Sequence, residues 1–163
     1  MDENEQKSEL ELMLNLTKEF QGETDRAAAV LSAAYLDHLL GELIAASMAV
    51  EHSKVDKLLY RDGHGPLGSF SAKIDTAYCL GLLSEDEYSD LHSIRHIRND
   101  FAHKLTGLAF EYRSIADRCL NLKGAQVGGR PPTARERFEK ASIRLMVDIN
   151  LRIREKQSQK DQN

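Results

Sequence analysis

The placement of proline constrains this chain most. Its three prolines are Pro66, Pro131 and Pro132, and the long stretches between them are rich in Ala, Leu, Glu, Lys and Arg, which enter helices at little cost. Apolar residues recur along those stretches at three- and four-residue steps, and no segment alternates apolar with polar residues as a half-buried strand does. An all-α fold follows, a single-domain bundle of about six to seven helices. The 163 residues suffice for one core and are too few for two comfortable ones. The domain therefore spans 1–163, with frayed termini at about 1–5 and 157–163, because QSQKDQN carries too little hydrophobicity to pack.

Local signals set the elements. The first helix runs from about Glu5 to Phe20, with Leu10, Met13, Leu14 and Leu16 on its apolar face and Gly22 as its stop. Thr24 caps the next, in which Val30, Leu31, Ala34, Tyr35, Leu39, Leu43, Ile44 and Met48 mark a wide face up to about His52. A short helical piece from Val55 to Tyr60 leads into RDGHGPLGS, whose glycines and proline prevent regular structure. Phe70, Ile74, Ala77 and Tyr78 mark a helix from Phe70 to about Leu80 that Gly81 can close in the left-handed conformation. Ser84 and Glu87 form a capping box for a helix reaching about His103, with SEDE suiting the positive end of its dipole. A further helix spans roughly Ala109 to Leu122, and KGAQVGGRPP is a flexible connector. The last helix starts near Thr133 and carries Phe138, Ile143, Met146, Val147 and Ile149 to Leu151.

Lys plus Arg total 22 against 26 Asp plus Glu, a formal charge of −4, so the overall field offers no broad attraction to phosphate. Hydrophobic residues make up 41% and charged residues 29%, a balance that folds rather than stays disordered. No apolar run approaches the roughly 18 to 20 residues of a membrane helix, and MDENEQKSELE is too acidic for a signal peptide, so the chain is expected in the cytoplasm. Cys79 and Cys119 form no C-x-x-C pattern and read as small core side chains, which fits a reducing compartment.

Any site is expected in HSIRHIRNDFAHK, from His92 to Lys104. Leu91, Ile94, Ile97, Phe101 and Leu105 mark the apolar side of that helix, with Arg98 at its edge, where a guanidinium must find partners. A structural role would pair Arg98 with a neighbouring carboxylate and use Asn99 and His103 to tie backbone groups. A catalytic role would use His103 to move a ribose hydroxyl proton while Arg98 stabilises developing phosphate charge. His92 and His96 have the i, i+4 spacing of metal ligands but lack the H-E-x-x-H glutamate and a third ligand, so no metal or cofactor is expected.

The loop GHGPLGS lacks the G-K-[ST] ending and preceding strand of a phosphate-binding loop. Its glycines allow close backbone approach, so it can pack against the Arg98 region or contact a partner through His64 and Pro66. Arg130, Arg135, Arg137, Lys140, Arg144, Arg152, Arg154 and Lys156 cluster toward the C-terminus, but Glu136, Glu139, Asp148 and Glu155 are interleaved with them. No pair of short helices carries an exposed basic second helix, as groove reading by a helix-turn-helix requires.

Two resemblances add to this reading. Arg98-Asn99 followed by His103 resembles the R-N-x-x-x-H pattern of the HEPN superfamily of helical domains, many of them ribonucleases. LSAAYLDHLLGELI and then GPLGSFSAKIDTAYCLGLLSEDEYSDLHSIRHIRNDFAH resemble the mannitol operon repressor family over roughly Ala27 to Leu108. That resemblance implies a helical repressor of a sugar-alcohol uptake operon that lacks a recognisable helix-turn-helix and works through a protein partner or co-regulator. The first reading is then a non-enzymatic regulator acting by protein contact, as a homo-oligomer such as a dimer. The partner-contact candidates are His64, Pro66, Arg98, Asn99 and His103. The alternative is a HEPN-type ribonuclease using Arg98, Asn99 and His103 across a dimer. Direct operator binding through the basic C-terminal helix is a third reading.

Overall fold

The computed structural model describes residues 3–49, 52–59, 65–104, 106–125 and 131–161. Among them lie α1 (Glu3–Gln21), α2 (Asp25–Ser47), α3 (His52–Leu59), α4 (Phe70–Cys79), α5 (Glu85–His103), α6 (Arg113–Leu120), a 3-10 turn (Lys123–Ala125) and α7 (Ala134–Asp161). The described residues contain no strand. The bundle is all-α, and its boundaries sit where local chemistry places them. Thr24 and Ser69 cap α2 and α4 by accepting the amides of Ala27 and Ala72. Ser84 and Glu87 form a reciprocal capping box at α5. Gly81 closes α4 at φ +69°, a conformation that costs a residue without Cβ nothing.

The core lies between α2 and α7, which pack on each other more extensively than any other pair, while α5 closes against both. Ala28, Ala29, Ala33, Leu36, Leu40, Leu43 and Ile44 bury the inner side of α2. Three phenylalanines from separate segments stack through the base of the core, Phe101 on Phe110 at 5.1 Å and Phe110 on Phe138 at 5.0 Å between ring centres. Arg135 pins the start of α7 to the α1–α2 turn: it reaches Asp25 at 2.8 Å and Glu139 at 2.7 Å, and donates to the carbonyls of Phe20 and Glu23. Asp25 in turn accepts the Phe110 amide.

Several expectations need correction. Val30, Leu31 and Tyr35, which spacing assigns to the apolar face of α2, are 36%, 41% and 45% exposed; Met13 and Leu14 are likewise exposed. The reason lies in α2 itself, which is apolar on nearly every side, so spacing cannot say which side faces inward. By length and composition α2 is also apolar enough to cross a membrane, contrary to the sequence reading, yet 56% of its apolar window is buried within the bundle. Cys79 is exposed and only Cys119 is a core residue. Helix α2 stops at Ser47 rather than near His52, and α6 starts at Arg113 rather than Ala109. Helix α7 runs to Asp161, and Lys160 donates to the carbonyls of Ala45 and Met48.

Candidate functional site

The α4–α5 hairpin carries the polar residues of the sequence's most distinctive segment. The tight turn at Gly81 sets the two helices side by side, and Asp75 on α4 ties them together. It accepts from the Tyr88 hydroxyl at 3.0 Å and lies 3.1 Å from His92 Nε2. The Tyr78 ring packs on Tyr88, and Tyr88 packs on His92, each at 4.5 Å between centres. The bond to Asp75 pushes the Tyr88 hydroxyl pKa up, because the ionised phenol would face a carboxylate.

Farther along α5, Arg95 Nη2 lies 3.1 Å from His96 Nε2. Burial first, and then the positive charge of Arg95 and Arg118, hold the His96 ring below the usual histidine pKa. Arg118 forms a short bond with Asp100 and so fixes α6 against α5. Arg95 Nε is buried without a hydrogen-bond partner.

Of the residues singled out in sequence, Arg98 and Asn99 are half-buried and His103 is exposed at the end of α5. Among the described residues none of the three forms a side-chain hydrogen bond or ion pair. Five residues of helix turn Arg98 and His103 roughly 140° apart, so one chain does not converge them on a single phosphate; a composite site would need a second copy. Pro66 is exposed, and its loop closes on α3 rather than on Arg98. The Leu67 amide donates to Leu58 O at 2.9 Å, and a Cβ on Gly65 would fall 2.3 Å from that oxygen. His64 lies outside the described residues. Among the described residues no three His, Cys, Asp or Glu side chains converge as metal ligands.

Two cations of α7, Arg135 and Arg152, turn toward other elements, while Arg144 stays exposed. Arg135 is committed to the α1–α2 turn, Arg144 pairs with Asp148, and Arg152 forks onto Glu87 at 2.7 and 3.1 Å while donating to Leu82 O. Arg152 and Glu87 line a groove of about 840 Å³ between the α4–α5 turn and α7, with Asp90, Lys123 and Gly124 beside them. Asp90 accepts the amides of Lys123 and Gly124 at 2.9 Å each. Burial raises its pKa, and those two bonds offset part of the rise. Sequence reading missed both arrangements; the one local trace of them was Glu87 in the capping box.

The fold is similar to that in the X-ray structure of the MtlR-HPr complex from Escherichia coli. There the match has a TM-score of 0.62 at 22% identity and covers 91% of this chain and 97% of that one. No curated protein sequence matches the chain. The sequence profile of the mannitol repressor family, MtlR, matches residues 10–158. With nearly the whole bundle inside that match, the chain belongs to the mannitol repressor family of regulators.

Proposed function

We propose that the chain is a cytoplasmic repressor of a mannitol operon that acts through contact with HPr, the partner in the similar E. coli complex, rather than by reading an operator alone. The family match over residues 10–158 carries this reading. Two features support it: the net charge of −4 gives no general pull on DNA, and α7 spends Arg135 and Arg152 on half-buried pairs with other elements. Titration of E. coli HPr into the purified chain, followed by calorimetry, is expected to give a saturable heat. A flat titration of the folded protein overturns the proposal.

A second reading rests on Arg98, a half-buried guanidinium without a partner among the described residues. It makes Arg98, Asn99 and His103 a ribonuclease site shared across a dimer. Cleavage of single-stranded RNA that disappears in both Arg98→Gln and His103→Ala supports it, and intact RNA after incubation with wild type removes it.

A further inference from the structure

We infer that the outer side of α2 is a self-association surface, on which a second copy of the chain packs α2 antiparallel against α2 to form a weak two-fold dimer.

Helix α2 carries apolar residues on nearly every side, yet 56% of its apolar window is buried. A helix hydrophobic all round is ordinarily enclosed all round. Among the described residues α7, α5, α4 and α3 cover the inner side. Ala27, Val30, Leu31, Ala34, Tyr35 and His38 stay on the outer one, all but Ala27 exposed. They recur at three- and four-residue steps, so they form one stripe about three turns long. Asp37, at its margin, turns to Lys73 at 3.0 Å. What is left is a contiguous apolar patch, the kind that marks a contact surface.

The stripe complements itself. A two-fold axis crossing α2 between Ala34 and Tyr35 sets each Tyr35 on Ala34 of the other copy, Leu31 on His38, and Ala27 beside Glu42. Large side chains then face a small one or a flat ring, and Ala34 lets the backbones approach where the helices cross. Charge runs the same way. Arg26 donates to the Lys104 carbonyl, which gathers two basic residues at the N-terminal end of the stripe, and Glu42 lies toward the other end. Antiparallel packing brings the basic end of each copy to the acidic end of the other. No Lys or Arg occurs from Ala27 to Gly41, so the stripe offers no cation to a phosphate backbone.

Area sets the strength. The exposed parts of Val30, Leu31, Ala34, Tyr35 and His38 present roughly 400 Å² per chain, and a dimer with a polar rim covers about 1,000 Å² in all, at the low end of specific interfaces. The association is therefore reversible, half complete at roughly 10–100 μM.

Sedimentation equilibrium of the full chain, at concentrations that bracket this range, tests the assignment. Wild type is expected to pass from monomer to dimer. Leu31→Glu and Tyr35→Glu, each of which desolvates a charge at the crossing, are expected to weaken the dimer at least about tenfold. Leu14→Glu, at a 50% exposed position on α1, is expected to associate like wild type. Thermal melts check that the variants fold, and both α2 substitutions lie at the surface. Wild type that stays monomeric throughout overturns the inference, as does a dimer kept by both α2 variants or lost in Leu14→Glu alone. Titration with E. coli HPr separates this surface from the partner reading. Monomeric α2 variants that still bind HPr support a self-contact, whereas variants that lose HPr while wild type alone is monomeric assign the stripe to the partner and overturn it.

Discussion

Cys79 and Cys119 stand among apolar neighbours in the sequence, but the bundle exposes one and buries the other. Burial pushes the Cys119 thiol up to about 12, so the reactive thiolate is scarce near neutrality. A thiol-titrating disulfide reagent is therefore expected to modify one cysteine rapidly in the native protein and two after denaturation. Fast native labelling of both would contradict the buried position. Gly65 makes a comparable point about backbone. A Cβ there would lie 2.3 Å from Leu58 O, while one at Gly22 would meet nothing within 4 Å. Gly65→Ala should cost about 1–3 kcal/mol by forced displacement, whereas Gly22→Ala should be close to neutral in the same urea titrations.

At the scale of the element, α5 is anchored within its first two turns by two carboxylates, Glu87 and Asp90, whose protonation acts in opposite directions. Burial pushes Glu87 up, but hydrogen bonds from Arg152 and Ser84 outweigh it and leave the carboxyl below its usual value of 4.5. The folded state therefore binds fewer protons there than the unfolded chain, and the stability Glu87 contributes is present above 4.5 and lost as pH falls through its lower folded value. Asp90 is raised above 3.8, so its contribution is fully present below that value and fades as pH rises through the folded one. Glu87→Gln should destabilise by about 1–2 kcal/mol at pH 7, through lost charge-assisted bonds. The gap from wild type should narrow as the pH falls through Glu87's folded value, and a gap that stays constant from pH 7 to pH 3 would refute this account.

Across the whole molecule, ion pairs hold separate parts of the chain together only where they are partly shielded from water. Arg135 links α7 to the α1–α2 turn over more than a hundred residues of sequence, with its side chain 25% exposed. Arg144 pairs with Asp148 along one helix with 66% of its side chain exposed. Arg135→Ala should cost about 2–4 kcal/mol, because it strips partners from Asp25, Glu139 and two carbonyls. Arg144→Ala should cost less than about 0.5 kcal/mol, as exposed helix pairs do. Equal midpoints for the two in urea would show that the Arg135 clasp contributes nothing to the docking of α7.

The all-α class and many of the helix limits are legible in the residues alone, because Thr24, Ser84 with Glu87, and Gly81 act on backbone groups within four residues. The residues also carry the family likeness, whose motif holds Gly65 against α3 and Lys73 against Asp37. Only the tertiary structure decided which side of α2 faces inward, since a helix apolar all round has no direction of its own until α7 and α5 cover it. Likewise, Arg152 as the partner of Glu87, and Lys123 and Gly124 as the partners of Asp90, are choices made across 65, 33 and 34 residues. The packing of Tyr78 on Tyr88 is of the same kind. Spacing along one helix fixes which residues share a face, but what that face meets depends on the elements that pack beside it.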